Sequence, residues 1–115
     1  MTETTQSKNL RNDLIRLGLL PPHKNFIVVG GDTGGTSGKG YALISIGREI
    51  YESMIEADYF GKRFETDKLV SVIFDKSTGH ILDVIEKRDV SMGDDIGEIS
   101  NKMLFKARKK LDEER

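Results

Sequence analysis

The residues best suited to chemistry lie in one loop, called here the glycine loop, which reads GGDTGGTSGKG from Gly30 to Gly40. Glycine populates positive φ at little steric cost, so successive backbone N–H groups in such a loop can converge on an anion. Hydroxyl side chains and one lysine would add donors and positive charge. The candidate ligand-binding residues are Gly31, Asp32, Thr33, Gly34, Gly35, Thr36, Ser37, Gly38 and Lys39.

The same loop departs from the nucleotide-binding P-loop in two ways. The pattern GxxxxGK[ST] requires glycine where the chain has Thr33, and a hydroxyl residue where it has Gly40. The loop also leads into a predicted strand, so no helix N-terminus would help to bind phosphate. We therefore prefer a hairpin tip that a partner or a second subunit orders, and keep a phosphate cradle or lid as the alternative.

Other catalytic and metal-binding patterns are missing from the sequence. The chain has no cysteine, which excludes disulfides, thiolate catalysis and sulfur-ligated metals. Its two histidines, His23 and His80, do not form a zinc-binding HExxH motif, and the sequence contains no GxSxG motif of serine hydrolases. We expect no metal and no cofactor, and a protein that is not an enzyme.

Two groups of aromatic residues predict contact surfaces. Tyr59 and Phe60, followed by Phe64, lie in a segment without a regular period, which either closes the end of the sheet or forms an interface. Phe105 falls opposite the apolar stripe of the last predicted helix, and an exposed aromatic on a charged face often marks an interface. We expect a homo-oligomer, most simply a dimer, since dimers are the commonest closed assembly. The first contact regions to test are the glycine loop and residues 59–64.

Length and charge limit the possible classes. A chain of 115 residues forms one domain, 1–115. Eighteen basic and nineteen acidic residues give a net charge of -1, which argues against a nucleic-acid binder driven by bulk positive charge. The apolar stretches are shorter than the roughly 20 residues that cross a bilayer. We expect a cytoplasmic protein without a membrane partner, with residues 1–6 disordered.

The first half of the chain predicts a helix and a hairpin. A helix is expected over Ser7–Leu17, with Ser7 as its N-cap and Gly18 as its left-handed C-terminal residue. Strands at Asn25–Val29 and Tyr41–Ile46 flank the glycine loop, and their β-branched and aromatic content is typical of a hairpin.

The middle segment, Arg48–Ala57, allows two interpretations. Ile50, Tyr51, Met54 and Ile55 fit one face of a helix, which we favour. The alternative is that residues 47–49 form a turn into another strand.

The second half predicts another hairpin and a helix. Leu69–Phe74 and His80–Ile85 read as strands around a turn at residues 75–79. Asp95 and Glu98 resemble a capping box at the start of a C-terminal helix. Its apolar stripe comprises Ile96, Ile99, Met103, Ala107 and Leu111, with Leu104 at the edge.

These elements predict an α+β fold, with a small antiparallel sheet built from two hairpins. N-terminal, middle and C-terminal helices would cover one face of the sheet. The predicted function is a non-enzymatic interaction protein that contacts a partner and self-associates. The alternative is a module that sequesters or senses a phosphorylated, nucleotide-like small molecule through the glycine loop.

Overall fold

A computed structural model describes residues 4–54 and 59–114, and for residues 52–54, 59, 60 and 62 it describes the backbone only. The chain has α+β architecture, as the sequence predicts, with a four-stranded antiparallel sheet and two helices in the described part. In chain order the elements are α1 (Thr5–Arg16), β1 (Asn25–Gly31), β2 (Lys39–Met54), β3 (Tyr59–Asp75), β4 (Ile81–Asp89) and α2 (Ile96–Glu113).

The sheet is a meander with strand order β1-β2-β3-β4. β1 and β2 pair across the glycine loop, from Asn25 opposite Gly47 to Gly31 opposite Ala42. β2 and β3 form the longest pair, and β4 completes the sheet beside β3. β1 and β4 are therefore the two edges of the described sheet.

The two helices pack on opposite faces of the sheet, because neighbouring side chains of a strand point to opposite sides. Leu14 of α1 packs with Ile44 and Val70 on one face, called here the α1 face. Met103 of α2 packs with Leu43, the neighbour of Ile44, on the other face, called the α2 face. The expectation of one covered face is therefore wrong: both faces of the sheet carry buried apolar residues, and one helix packs on each.

α1 begins earlier than the sequence predicts. Its N-cap is Thr4, whose side-chain hydroxyl accepts a hydrogen bond from the N–H of Ser7 at 3.1 Å, so Ser7 is capped and is not the cap. Residues 4–6, in the stretch expected to be disordered, form the cap and the first residues of this helix. The rest of that stretch lies outside the described residues. Gly18 has φ of 75° directly after the C-cap, as expected for a left-handed helix end.

α2 follows the predicted pattern closely. Asp95 is its N-cap and accepts a hydrogen bond from the N–H of Glu98. Four of the five stripe residues are buried, namely Ile99, Met103, Ala107 and Leu111. Ile96, the first residue of the helix, is 37% exposed.

The predicted middle helix is wrong, because residues 48–54 continue β2 as a strand. The alternative turn at residues 47–49 is also not what forms, since the strand passes through a register shift between Ile46 and Gly47 without reversing. Residues 55–57 of that segment lie outside the described residues. The helical pattern of apolar residues in this segment is overridden by backbone pairing with residues 59–65 of the next strand, β3.

The continued strands form a two-stranded extension, called here the β-arm and made of residues 48–54 and 59–65. β1 pairs with β2 only as far as Gly47, and β4 pairs with β3 only from Lys68 onward. Beyond these points β2 and β3 pair only with each other among the described strands. A two-stranded ribbon is only marginally stable in water on its own. The β-arm therefore depends on the sheet at its base.

Candidate functional site

The backbone of the glycine loop is closely packed at its base, whereas open space surrounds the glycines at its tip. Gly31 has φ of 127°, and a Cβ placed there would stand 2.3 Å from the carbonyl oxygen of Tyr41. A Cβ at Gly40 would stand 2.4 Å from the carbonyl oxygen of Asp32. At the tip, Gly35 and Gly38 have positive φ but nothing within 4 Å of a Cβ. Glycine is thus required by contact at the base and by conformation at the tip.

A cleft of about 350 Å³ lies beside this loop, on the α1 face. Its floor is apolar, formed by Leu10, Val28, Ala42, Val72 and Phe74. Its rim is polar: Thr33 from the loop, Thr4, Gln6 and Ser7 from the start of α1, and Lys76. The volume is within the range of small-molecule sites. A ligand with an apolar body and a polar or anionic end would fit this division of the lining.

The lysine at this cleft is Lys76, which the sequence analysis did not select. Its ammonium donates to the Asp32 carboxylate at 3.0 Å, and its side chain is only 12% exposed. Lys39, the predicted lysine, instead lies 3.8 Å from the Glu114 carboxylate at the end of α2, and its side chain is 55% exposed. Of the other predicted loop residues, Thr33 and Gly35 line the cleft, whereas Thr36 and Ser37 are exposed at the tip.

The turn between β3 and β4 fastens α1 to the sheet beside the cleft. Asp13 accepts a hydrogen bond from the N–H of Ile81 at 2.8 Å, and the same carboxylate oxygen lies 3.1 Å from Nδ1 of His80. Asn9 donates to the carbonyl of Thr78 at 2.7 Å. Burial raises the pKa of Asp13, but the hydrogen bonds from Ile81 and His80 outweigh burial, so this pKa is lower than its ordinary value of 3.8. The Asp13 carboxylate thus acts as a structural acceptor.

The predicted aromatic residues lie on separate surfaces. Phe105 is 69% exposed on the outer side of α2, as its position opposite the stripe suggests. Phe64 belongs to the β-arm, opposite Glu49, and is half-buried beside the loop that precedes α2. Tyr59 and Phe60 form the start of β3, where the structure describes their backbone only. Phe64 and Phe105 line different clefts, so the structure does not bring these two residues together.

The composition of the edge strand β1 is a further feature of this chain, and it was not among the predicted contact surfaces. Its sequence, NFIVVGG, contains no charged residue. Ile27, Val28 and Val29 are consecutive and exposed by 39%, 45% and 47%. An exposed apolar edge strand is a template for pairing with another chain. The signal was available in the sequence as an uncharged strand at the start of a meander, but only the strand order identifies it as an edge.

Tyr51, predicted on the apolar face of a middle helix, lies instead in strand β2. In the β-arm it is 65% exposed and its hydroxyl donates to the Glu49 carboxylate at 3.1 Å. The predicted helix would have buried it with Ile50. As a strand residue opposite Lys62, it instead adds aromatic surface to the β-arm.

Comparison of this chain with protein-family models, with curated proteins and with solved structures found no match. Within residues 4–54 and 59–114, no group of three or more His, Asp or Glu side chains is arranged to hold a metal ion. Neither described helix combines the length and the apolar character that crossing a membrane requires. The edge strand and the cleft are the two features of the described residues that bear on function.

Proposed function

We propose that the protein is a non-enzymatic interaction protein that acts by contact with a partner and self-associates. The observation that supports this most is the run of exposed apolar side chains Ile27, Val28 and Val29 on an uncharged edge strand. Single exposed apolar residues are ordinary, but a run of them beside unpaired backbone groups favours association. Tyr51 and Phe105 add exposed aromatic surface elsewhere.

The pair formed by Asp13 and His80 has a structural role in the described part of the chain. Asp13 is 6% exposed and already accepts the N–H of Ile81, so the pair of Asp13 and His80 is part of the attachment of α1 to β4. The use of the Asp13 carboxylate to attach α1 to the sheet supports the interaction-protein proposal.

Light scattering across micromolar to millimolar concentrations tests self-association. We expect the mass to rise above the 12.9 kDa of one chain as the concentration increases. A mass of 12.9 kDa throughout would overturn the self-association part of the proposal.

The cleft favours a second candidate function, the binding of a small phosphorylated ligand of nucleotide type. The support is the combination of an apolar floor with Lys76 and the first turn of α1 at the rim. That turn contains no acidic residue, so the positive end of the helix dipole is not offset there. The glycine loop would close over the ligand as a lid.

Calorimetric titration with nucleotides and with inorganic phosphate tests this second candidate. Lys76→Gln should weaken binding, because it removes the one cation that lines the cleft among the described residues. Lys39→Gln is the matched control and should leave binding unchanged, because Lys39 faces Glu114. No heat with any of these ligands, or equal effects of the two substitutions, would contradict a ligand site in this cleft.

A further inference from the structure

We propose that the partner of β1 is a second copy of this chain, paired antiparallel so that the two sheets form one continuous eight-stranded sheet. This inference rests on the proposed self-association and specifies its interface. Edge strands carry unpaired backbone N–H and C=O groups, and antiparallel pairing with an identical strand satisfies these groups in both copies at once.

The charge of the edges selects β1 and not β4. β1 has no charged residue, whereas β4 carries Asp83, Glu86, Lys87, Arg88 and Asp89. Charges on an edge strand oppose pairing with another chain, because the incoming strand would have to accommodate them. β4 is therefore the protected edge, and β1 is the edge that remains open to a second copy.

The sequence of β1 is compatible with pairing to itself. A two-fold axis near Ile27, the middle of residues 25–29, places Ile27 opposite its own copy and Phe26 opposite Val28 of the other copy. Directly opposed residues must lie on the same face. Phe26 and Val28 meet this condition, since they pair with Ile46 and Ile44, which both belong to the α1 face.

The flanking charges do not oppose this arrangement. Lys24 precedes β1 by one residue, and the two-fold axis at Ile27 places the two Lys24 side chains at opposite ends of the paired segment. The two Lys24 side chains are then six residues apart along the strands, about 20 Å at the usual rise per residue. This distance exceeds the Debye length at physiological ionic strength. Lys24 also forms an ion pair with Asp67 in its own chain.

The existing surroundings of β1 leave this edge accessible. The guanidinium of Arg11 of α1 lies 5.0 Å from the centre of the Phe26 ring, and a methyl group of Leu104 of α2 lies 3.0 Å from where a Cβ on Gly30 would stand. Both contacts are made on the faces of the strand. They support β1 against its own sheet and still leave Ile27 and Val28 exposed.

Only a short segment of each copy would pair, because the register shift between Val28 and Gly30 interrupts the regular strand, so we expect a weak dimer that depends on concentration. The experiment is sedimentation equilibrium of the full chain from micromolar to millimolar concentration. Wild type should double its mass from 12.9 kDa. Ile27→Lys should remain a monomer, because the axis places two lysines opposite each other.

Leu82→Lys is the matched control, because Leu82 is a similarly exposed apolar residue on the other edge strand, β4. This variant should dimerise as wild type does. An equimolar mixture of Ile27→Lys and Ile27→Glu should recover the dimer, since opposite charges then face each other. Recovery also demonstrates that both variants are folded.

Hydrogen exchange of the unmodified protein provides a readout that does not depend on folding of a variant. Amides within residues 25–29 should gain protection as concentration rises, whereas amides of β4 should not. If wild type dimerises but Ile27→Lys dimerises equally and residues 25–29 gain no protection, the β1 interface is wrong and self-association stands. If wild type stays monomeric at all concentrations, both are overturned.

Discussion

β1 and β4 each leave one row of backbone groups without a neighbouring strand in the described sheet, yet they differ in the side chains around that row. β1 is uncharged and apolar, and α2 meets it through a methyl group of Leu104 against Gly30. Five of the nine residues of β4 are charged, and α2 meets it through the ion pair of Lys106 with Glu86. One sheet thus combines an edge suited to pairing with an edge protected from it.

The contacts that support the two edge strands also differ. At the β1 side, glycine allows the backbone of the loop to pass close to Tyr41. At the β4 side, the Asp13 carboxylate holds α1 to the N–H of Ile81. At these two positions the open edge depends on a close backbone approach and the protected edge on a polar contact. Substitutions should therefore separate the two sides.

The largest loss of stability is expected at Ile99, which packs against the central strands β2 and β3 rather than at either edge. Ile99→Ala should lower the free energy of unfolding by about 2–5 kcal/mol, because Ile99 packs under the central strands against Leu43 and Leu69. Urea denaturation measures this change. Hydrogen exchange should show β1 and β4 losing protection together. Loss at one edge only would mean that the two edges belong to separately folding parts.

The matched control for this prediction is Phe105→Ala on the same helix. Phe105 is 69% exposed, so its removal should change the stability of the monomer by no more than about 0.5 kcal/mol. A large effect of Phe105→Ala would show that this side chain is covered in solution.

The second effect is specific to the β1 side. Gly31→Ala should destabilise the fold by about 1–3 kcal/mol, because its φ of 127° disfavours any other residue and a Cβ would meet the carbonyl of Tyr41. Gly34→Ala is the control, since nothing lies within 4 Å of a Cβ there, and it should be neutral or slightly stabilising. Thermal unfolding of both variants tests the comparison. Equal effects would mean that the base of the loop is not fixed.

The parts of the fold that the sequence predicts are those set by local interactions. The cap at Asp95, the stripe of α2 and the left-handed Gly18 depend on residues within a few positions of one another. The strand at residues 48–54 depends on pairing with residues 59–65, and its helical spacing of apolar residues gave the wrong local signal. Pairing with the next strand is not visible in the spacing of apolar residues within one segment.

The candidate site was predictable to a similar extent. The glycine loop is visible in the sequence, but its lysine is not, because Lys76 is 36 positions from Gly40 and reaches the loop only through pairing of β2 with β3. The edge character of β1 likewise requires the strand order. Both features follow from the arrangement of the whole sheet.

The third effect belongs to the β4 side. Asp13→Ala should cost about 1–3 kcal/mol at neutral pH, because the N–H of Ile81 loses its acceptor. The lowered pKa of Asp13 means that its stabilising contribution is present above the ordinary value of 3.8 and is lost as the pH falls through the lower native value. The stability difference between wild type and variant should therefore shrink in acid.

Urea titrations at neutral pH and well below pH 3.8 measure this difference. Asp75 also has a lowered pKa, because the hydroxyl and the N–H of Ser77 donate to it, but it is present in both proteins and cancels in the comparison. A difference that stays constant with pH would show that Asp13 does not titrate with folding.

The smallest effect separates the two contacts that α2 makes with the edges. Lys106→Ala should cost no more than about 1 kcal/mol, because the ammonium of Lys106 and the carboxylate of Glu86 form an ion pair at 3.0 Å that solvent partly screens. High salt should remove even this cost, since it screens surface charges. Leu104→Ala is the comparison on the β1 side, and its cost should persist in high salt, because an apolar contact does not depend on screening.

Urea denaturation of both variants at low and at high sodium chloride distinguishes the two contacts. If both costs vanished in salt, or neither did, the assignment of an apolar contact to one edge and a charged contact to the other would be wrong.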